Sequence, residues 1–551
     1  MRAKPILRAV EVALVSIAVL VIVLIPFVKR GSYISRLVQS ARNDVQRFLY
    51  VTQHGEDDYV RVSLGPGARG PADSVDRVIE TSVLPLSVSF VSLPRNFAVQ
   101  GGAIIPVGDD LILMDRLGNF FRVRDRKVDS LPLPKLRNGV REYLLRSEGA
   151  LQVDGNNMRA IAIAFDAESN RLFASFTRFD NAHCNRHVVA SLNVTRDAYV
   201  SNSQWEDVYA SQCVDPRYPS NAAGGALLAL GRKLYFSVGY AETIGYPGES
   251  VPGSEHYRKP IPNTFDVESS FGKIFSLDLV DKVPQLISVG HRNVTGLAAT
   301  ADSRLFGVEQ GPQGGDELNE IRPGANYGWP IATFGTNYGR YDFKPSRTYR
   351  VADVKFTEPI FAFVPDVALS SLAVVTHFNE RWRGDLLVGS LAAQSIFRLH
   401  LGSRGNVVFS EPIWIGHRVR SIAELGDKFV LLTDDSLLAY IGVDQSKLAL
   451  NVKGTGEHIG GVLTACLSCH TFEHSNPTST APSLADVMDR RIGADTFDKY
   501  SDAMRHADGK WTRERLVRFL QNPQSVVPGT RMPSPGLDGA QANDVVDALA
   551  E

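Results

Sequence analysis

The sequence predicts a multidomain chain with three kinds of structure: an N-terminal transmembrane helix, a large all-β domain of six radially arranged blades, and a small all-α domain at the C-terminus. Three observations carry that expectation. An almost purely apolar run extends from Val12 to Val28, one turn-and-strand pattern recurs six times between residues 96 and 445, and after Asp444 the β-type text gives way to helical spacing.

The apolar run follows Arg2, Lys4 and Arg8 and stops at Lys29-Arg30. As a helix it is long enough to cross a hydrocarbon core of about 30 Å. A cleavable signal peptide is the alternative, but its apolar stretch is usually about 7 to 15 residues and ends at small residues. Pro26-Phe27-Val28 offers no such ending. Residues 1–30 are therefore expected to anchor the chain once in a bacterial inner membrane, basic end in the cytoplasm and bulk in the periplasm. Residues 31–95, with a polar helical stretch from Arg36 to Tyr50 and a Gly/Pro-rich piece from Gly65 to Pro71, read as a stalk and lead-in.

Between residues 96 and 445 short β-branched and aromatic runs alternate with Gly, Asp, Asn and Pro. The recurring unit is a turn followed by an apolar strand. It begins at Gly108, Asn170, Gly231, Ser303, Gly384 and Gly426, and several copies lead to a second strand such as Phe120–Val123, Ile274–Leu277 or Ile396–Leu399. Six units too small to bury their own faces predict a six-bladed propeller, whereas a β-sandwich would not need one motif six times.

After a linker at 446–456, the domain at 457–551 reads as helical. Ile459, Val462, Leu463 and Cys466 share one face, and Leu516, Phe519 and Leu520 share another behind Thr512 as N-cap. Composition adds one exclusion. With 22% charged residues and a net charge of -1 the chain lacks the basic excess of a nucleic-acid binder.

Chemistry is most specific at Cys466-Leu467-Ser468-Cys469-His470. C-x-x-C-H is the attachment pattern of a c-type haem. Two thiols on one helical turn reach the two vinyl positions of one porphyrin edge, and the adjacent imidazole of His470 reaches the iron. A redox dithiol or half a zinc site would also use Cys-x-x-Cys, but no second pair completes a zinc tetrahedron. A sixth ligand is expected from Met532, in the rigid Pro528–Pro533 loop, since a thioether opposite histidine raises the reduction potential. Met488 and Met504 fall in expected helices, where methionine more often fills a core. Cys184 and Cys213 are left as the candidates for a disulfide, or as two buried thiols.

Residues 457–551 resemble class I cytochromes c. The likeness runs through the haem motif, Pro482 with Leu484, Asp489–Gly493, Tyr500-Ser501, Trp511-Thr512, Asn522-Pro523 and Pro528–Met532. It implies Arg490, Tyr500 and Trp511 beside the haem propionates and Met532 on iron.

The β domain has its own distinctive text: Gly290–Leu297, Val308–Asn319 and Pro323–Pro330, glycine-rich loops holding carboxylates and exposed carbonyls. Such loops suit a hard cation, Ca²⁺ above all, or simply form tight turns between blades. These segments resemble the glucose/sorbosone dehydrogenases, soluble sugar dehydrogenases that use pyrroloquinoline quinone (PQQ) on a six-bladed propeller. The resemblance implies carbonyl ligands to Ca²⁺ from Gly311 and Pro312, and Arg418 and Arg420 on the quinone carboxylates. It also marks departures. The family's catalytic His falls near Ala222, an Arg near Thr243 and a Lys at Ala392.

Two functions follow as expectations. One is a quinohaemoprotein dehydrogenase that oxidises a sugar or alcohol and passes electrons to the haem, then to a respiratory-chain acceptor. The other is a non-catalytic propeller that binds a ligand or partner beside a cytochrome relay, which the missing His, Arg and Lys favour.

Overall fold

The computed structural model describes residues 48–56, 59, 75–146, 160–181, 184–195, 199–214, 223–240, 263–336, 355–402 and 404–445. In the C-terminal region it describes 466, 470–471, 481–494, 496–535 and 537–550. The expected membrane span therefore lies outside the described residues, among which no helix is long and apolar enough to cross a membrane.

The first two strands are β1 (Arg77–Glu80) and β2 (Pro85–Ser92). Blade one holds β3 (Ala103–Val107), β4 (Asp110–Met114), β5 (Phe120–Arg124) and β6 (Lys127–Ser130). After helix α1 (Val140–Arg146) come β7 (Ala160–Asp166), β8 (Arg171–Asn181), β9 (Cys184–Asn193) and β10 (Glu206–Ala210) of blade two. Blade three holds β11 (Gly224–Leu230), β12 (Lys233–Val238), β13 (Lys273–Asp278) and β14 (Pro284–Val289). Blade four holds β15 (Val294–Ala299), β16 (Leu305–Glu309), β17 (Asp316–Glu320) and β18 (Phe361–Phe363). Blade five holds β19 (Leu369–Val374), β20 (Leu386–Ser390), β21 (Ser395–Leu401) and β22 (Val407–Trp414). The sixth sheet is ordered β1-β2-β25-β24-β23, with β23 (Val419–Leu425), β24 (Lys428–Thr433) and β25 (Leu437–Val443).

In blades one to five the first strand is innermost and in the sixth that place falls to β23; the innermost strands β3, β7, β11, β15, β19 and β23 touch in ring order, β23 returning to β3. The six recurrent turns of the sequence are the hairpins between the innermost strand of each blade and its neighbour. All six turn residues, Gly108, Asn170, Gly231, Ser303, Gly384 and Gly426, take positive φ between 52° and 87°. That explains the restricted residue choice, since glycine and asparagine reach the left-handed region with little or no steric cost.

The ring is held by apolar layers between blades. Met114, Phe120, Leu172 and Phe176 join blades one and two; Phe306, Leu318, Leu372 and Val388 join four and five. Close approach needs a missing side chain at Gly296, where a Cβ would stand 2.6 Å from the Leu372 amide of the next blade.

One expected boundary is corrected. Residues 77–92, read as part of a stalk, form the two outer strands of the sixth blade. The Leu93 and Asp444 amides donate to the Ser436 and Pro85 carbonyls, at 2.9 and 2.8 Å. In β2 the side chains of Leu86 and Val88 are buried while Ser87 between them is exposed, the period-two pattern of a strand with one covered face.

The C-terminal domain packs α2 (Asp502–Arg505), α3 (Arg513–Gln521), α4 (Pro523–Val526) and α5 (Gly539–Ala550) around Trp511, Leu516, Phe519, Val545 and Val546. Thr512 caps α3 by accepting from the Arg515 amide, as its spacing anticipates. Met488 lies in a turn, not a helix: Asp489 beside it has φ of 58°.

Candidate functional site

In the C-terminal domain Cys466, His470, Arg490, Tyr500, Trp511 and Met532 all line one mainly apolar cleft of about 370 Å³. The sequence separates the first and last of them by more than sixty residues, and the fold brings them together. Cys469 lies outside the described residues. The His470 amide donates to the Cys466 carbonyl at 2.9 Å, which puts both on one helical turn.

His470 Nδ1 is 2.7 Å from the Pro482 carbonyl oxygen. A carbonyl only accepts, so Nδ1 carries the hydrogen and Nε2 keeps its lone pair for a metal. Burial, together with the nearby Arg490 charge, holds the imidazole below its ordinary pKa and outweighs the Pro482 bond, which favours the neutral form that binds iron.

The loop bearing Met532 is braced by Gln524, whose side chain accepts from the Gly529 amide at 3.0 Å and donates to the Thr530 carbonyl at 2.7 Å. Arg490 donates to the Ser483 and Ala485 carbonyls at 2.6 and 3.1 Å, and its own carbonyl accepts from the Trp511 amide at 3.0 Å. Trp511 stacks at a tilt on Phe519, and Tyr500 meets Phe497 edge-on. Met504 also lines the cleft but belongs to the buried core. An apolar cleft with a neutral imidazole and a thioether fits a c-type haem. Bound here, held by Cys466, His470 and Met532, it would supply a one-electron couple.

The propeller's candidate site is built differently. His291, Glu309, Asp316 and Asn319 are almost wholly buried beneath the glycine-rich loop. His291 stacks on Tyr327 and bonds the Glu309 carboxyl through Nδ1 at 3.0 Å and Ser288 Oγ through Nε2 at 2.8 Å. Asn319 Nδ2 donates to Glu309 at 2.8 Å and to Glu317 at 3.1 Å, and the Arg292 amide donates to Glu309 at 2.8 Å. Burial first, then the neighbouring Glu309 charge, pushes the Glu317 carboxyl up to about 8.

Gly311 and Pro312 are buried in this loop, whose amide at Gly311 donates to Asp316. Asp316 also accepts from the Val367 and Leu369 amides and so ties blade four to blade five. Beside Gly311 a void of about 10 Å³, lined by Arg292, Glu309, Glu317 and Trp329, has room for roughly one water molecule. Among the described residues no group of three or more His, Cys, Asp or Glu side chains is placed to hold a metal ion.

Arg418 and Arg420 do come together, but on a protein carboxylate. Asp434, across the hairpin, takes Arg420 at 2.7 and 2.8 Å and Arg418 at 3.3 Å. Burial alone would raise this carboxyl; the two guanidiniums outweigh it and hold it below its ordinary value. Both arginines thus have an internal partner, and Ala392 offers no cation. Ala222 and Thr243 lie outside the described residues. Among the described residues, then, the two guanidiniums that a quinone's carboxylates would need already share Asp434, Arg420 closely and the half-exposed Arg418 at longer range. Arg292, Glu317 and Asp434 went unnoticed as site residues in the sequence, although Asp434-Asp435 stands opposite Arg418–Arg420 in one hairpin as a visible signal.

A propeller of the sugar-dehydrogenase type joined to a cytochrome c domain is the class that this fold and the two sites define. The Glucose / Sorbosone dehydrogenase family matches residues 155–440, more than half of the chain, and the chain belongs to that family. The Aldose sugar dehydrogenase YliI of Escherichia coli is 27% identical over 194 residues, 32% of this chain and 51% of that protein. With an uncharacterized Synechocystis protein, matched at 33% identity over 28% of this chain and 37% of its own length, it shows that the chain spans only a third to a half of these relatives. For the C-terminal domain, Cytochrome c type-1 of Ascaris suum is 40% identical over 87 residues, 16% of this chain and 77% of that protein. A crystal structure of a glucose dehydrogenase shares the propeller fold at 23% identity and a TM-score of 0.50, covering 64% of this chain and 99% of that one.

Proposed function

We propose that this chain is a membrane-anchored oxidoreductase of the periplasm that moves electrons through a covalently attached haem c to a respiratory-chain acceptor, with the propeller as the sugar- or alcohol-directed partner of that relay. The cleft that gathers Cys466, His470 and Met532 carries this reading. Because Pro482 holds Nδ1 of His470, Nε2 would be the nitrogen left for a haem iron. Met532→Ala is expected to leave the haem attached, lower its reduction potential and open the iron to added imidazole. Redox titration and the absorbance change on adding imidazole check this; an unchanged potential with no new ligand bound excludes Met532.

Sugar oxidation through PQQ and Ca²⁺ is the activity that the family suggests, and the commitment of Arg418 and Arg420 to Asp434 argues against a tight quinone site. A propeller that binds a ligand without oxidising it is the reading this pairing favours. The purified protein titrated with PQQ and Ca²⁺, with haem reduction by aldoses followed optically, separates the two. Without the family's base, reduction is expected to be at least about a hundredfold slower than in members that retain it. Fast reduction would establish the dehydrogenase and make His417, whose Nδ1 is 3.1 Å from Asp435, the first replacement base to test.

A further inference from the structure

Cys184 and Cys213 form a disulfide whose surroundings set it apart from a buried structural cross-link. Cys184 is buried, while Cys213 is exposed. A single guanidinium nitrogen, Arg186 Nη2, donates to both sulfurs, at 3.2 Å to Cys184 and 3.1 Å to Cys213. Arg186 is itself fixed by Asp180 at 2.6 Å, and Asp180 is neutralised from its other side by Arg178 at 2.7 Å. Arg178 in turn reaches Asp207 at 2.6 Å. Asp180 Oδ2 also lies 3.8 Å from Cys184 Sγ, but both of its oxygens are engaged by arginines, so the cation that reaches the two sulfurs is Arg186.

We propose that Cys184–Cys213 is an exchange-active disulfide, reduced by a dithiol that attacks the exposed Cys213 sulfur while Arg186 holds the thiolate leaving on Cys184. The attacking thiolate forms a bond to Cys213 Sγ, the Cys184–Cys213 bond breaks, and its electron pair goes to Cys184. The second thiol of the reductant then displaces Cys213. Two electrons and two protons pass from the dithiol to the two cysteines, and the reductant ends as a disulfide. The partner class is a protein dithiol of the C-x-x-C kind. Arginine beside a thiolate lowers its basicity, and a less basic thiolate leaves faster.

The position gives the exchange a consequence. The disulfide ties β9 to the segment Ser211–Val214, which is also laddered to it through Asn185–Val214 and His187–Ser211 backbone bonds. From Val214 the chain leads on to Gly224, whose amide donates to Asn293 at 2.9 Å beside the propeller's candidate site. Reduction removes the covalent tie at the start of that connection and leaves the hydrogen bonds. The inference stands apart from any assignment of a quinone.

The full-length holoprotein treated with glutathione near neutral pH, then alkylated and mapped by mass spectrometry, tests the direction of attack. The glutathione adduct is expected on Cys213 and the alkyl group on Cys184, with circular dichroism unchanged. Reduction by dithiothreitol should slow roughly 3- to 30-fold in Arg186→Met, and Arg186→Lys should recover part of the rate. An adduct on Cys184, reduction only after unfolding, or equal rates in wild type and Arg186→Met would each overturn the proposal. The map of attack on the wild-type protein decides it even where a variant fails to fold.

Discussion

Replacing Cys466 and Cys469 together by alanine is expected to give a protein that loses its haem on denaturation and extraction, where the wild type retains it. The expectation rests on the geometry of one turn: Cys466 and His470 are a single backbone hydrogen bond apart, so one thiol and the imidazole could hold the same haem. The loss should reach beyond colour. Trp511, Leu516, Phe519 and Val545 line the cleft as well as the core, so without the cofactor this apolar surface has nothing to pack against and the domain should unfold at lower temperature. Haem staining after denaturing electrophoresis reads the first effect and calorimetry the second. Covalent haem retained by the double variant would place the attachment elsewhere.

The second large effect is a dependence on pH. Glu317 has its carboxyl pushed up to about 8 from the ordinary 4.5, by burial first and by the Glu309 charge second. The folded state therefore binds a proton that the unfolded chain gives up above 4.5. The stability it contributes is fully present below 4.5 and is lost as pH rises through about 8. Glu317→Gln keeps the neutral shape and an oxygen to accept from Asn319, but cannot ionise. The variant should match the wild type near pH 4.5 and exceed it increasingly up to pH 9. At 1.36 kcal/mol per tenfold in proton affinity the gap has a ceiling of about 5 kcal/mol. Denaturation of the propeller across that range checks it; a constant gap would mean that Glu317 is already ionised in the folded protein at pH 7.

What could be read from the sequence, and what could not, divides along the range of the interactions. The six blades were legible because each contains a local event, a left-handed turn residue followed at once by an apolar strand, as at Gly108 and Ser303. Thr512 as a cap and Leu516, Phe519 and Leu520 as a buried face were legible for the same reason. The closing strands β1 and β2 were not, because their partner β25 lies at the far end of the domain and a four-residue strand carries little signal of its own. In the site, the residue types at Arg418 and Arg420 were visible. Their engagement by Asp434 was not, because it depends on which side of a hairpin each chain segment faces. The Cys184–Cys213 disulfide could be listed as a pairing by elimination, whereas the arginine shared by both sulfurs needed coordinates.

The sixth blade has a consequence for biogenesis. Its outer strands are made first and its inner strands last, so about 330 residues must be synthesised between β2 and β23. At about 5–20 residues per second that interval lasts some tens of seconds. Throughout it β2 carries unpaired amides and carbonyls along with the apolar face of Leu86 and Val88, a ready template for pairing with another chain. Blades one to five can form in order behind the growing end, but the ring has no closed state until β25 arrives. A chain truncated before Leu437 should therefore aggregate, not yield a five-bladed remnant, and a nascent chain has reason to be shielded by a holding chaperone until its last strand is delivered.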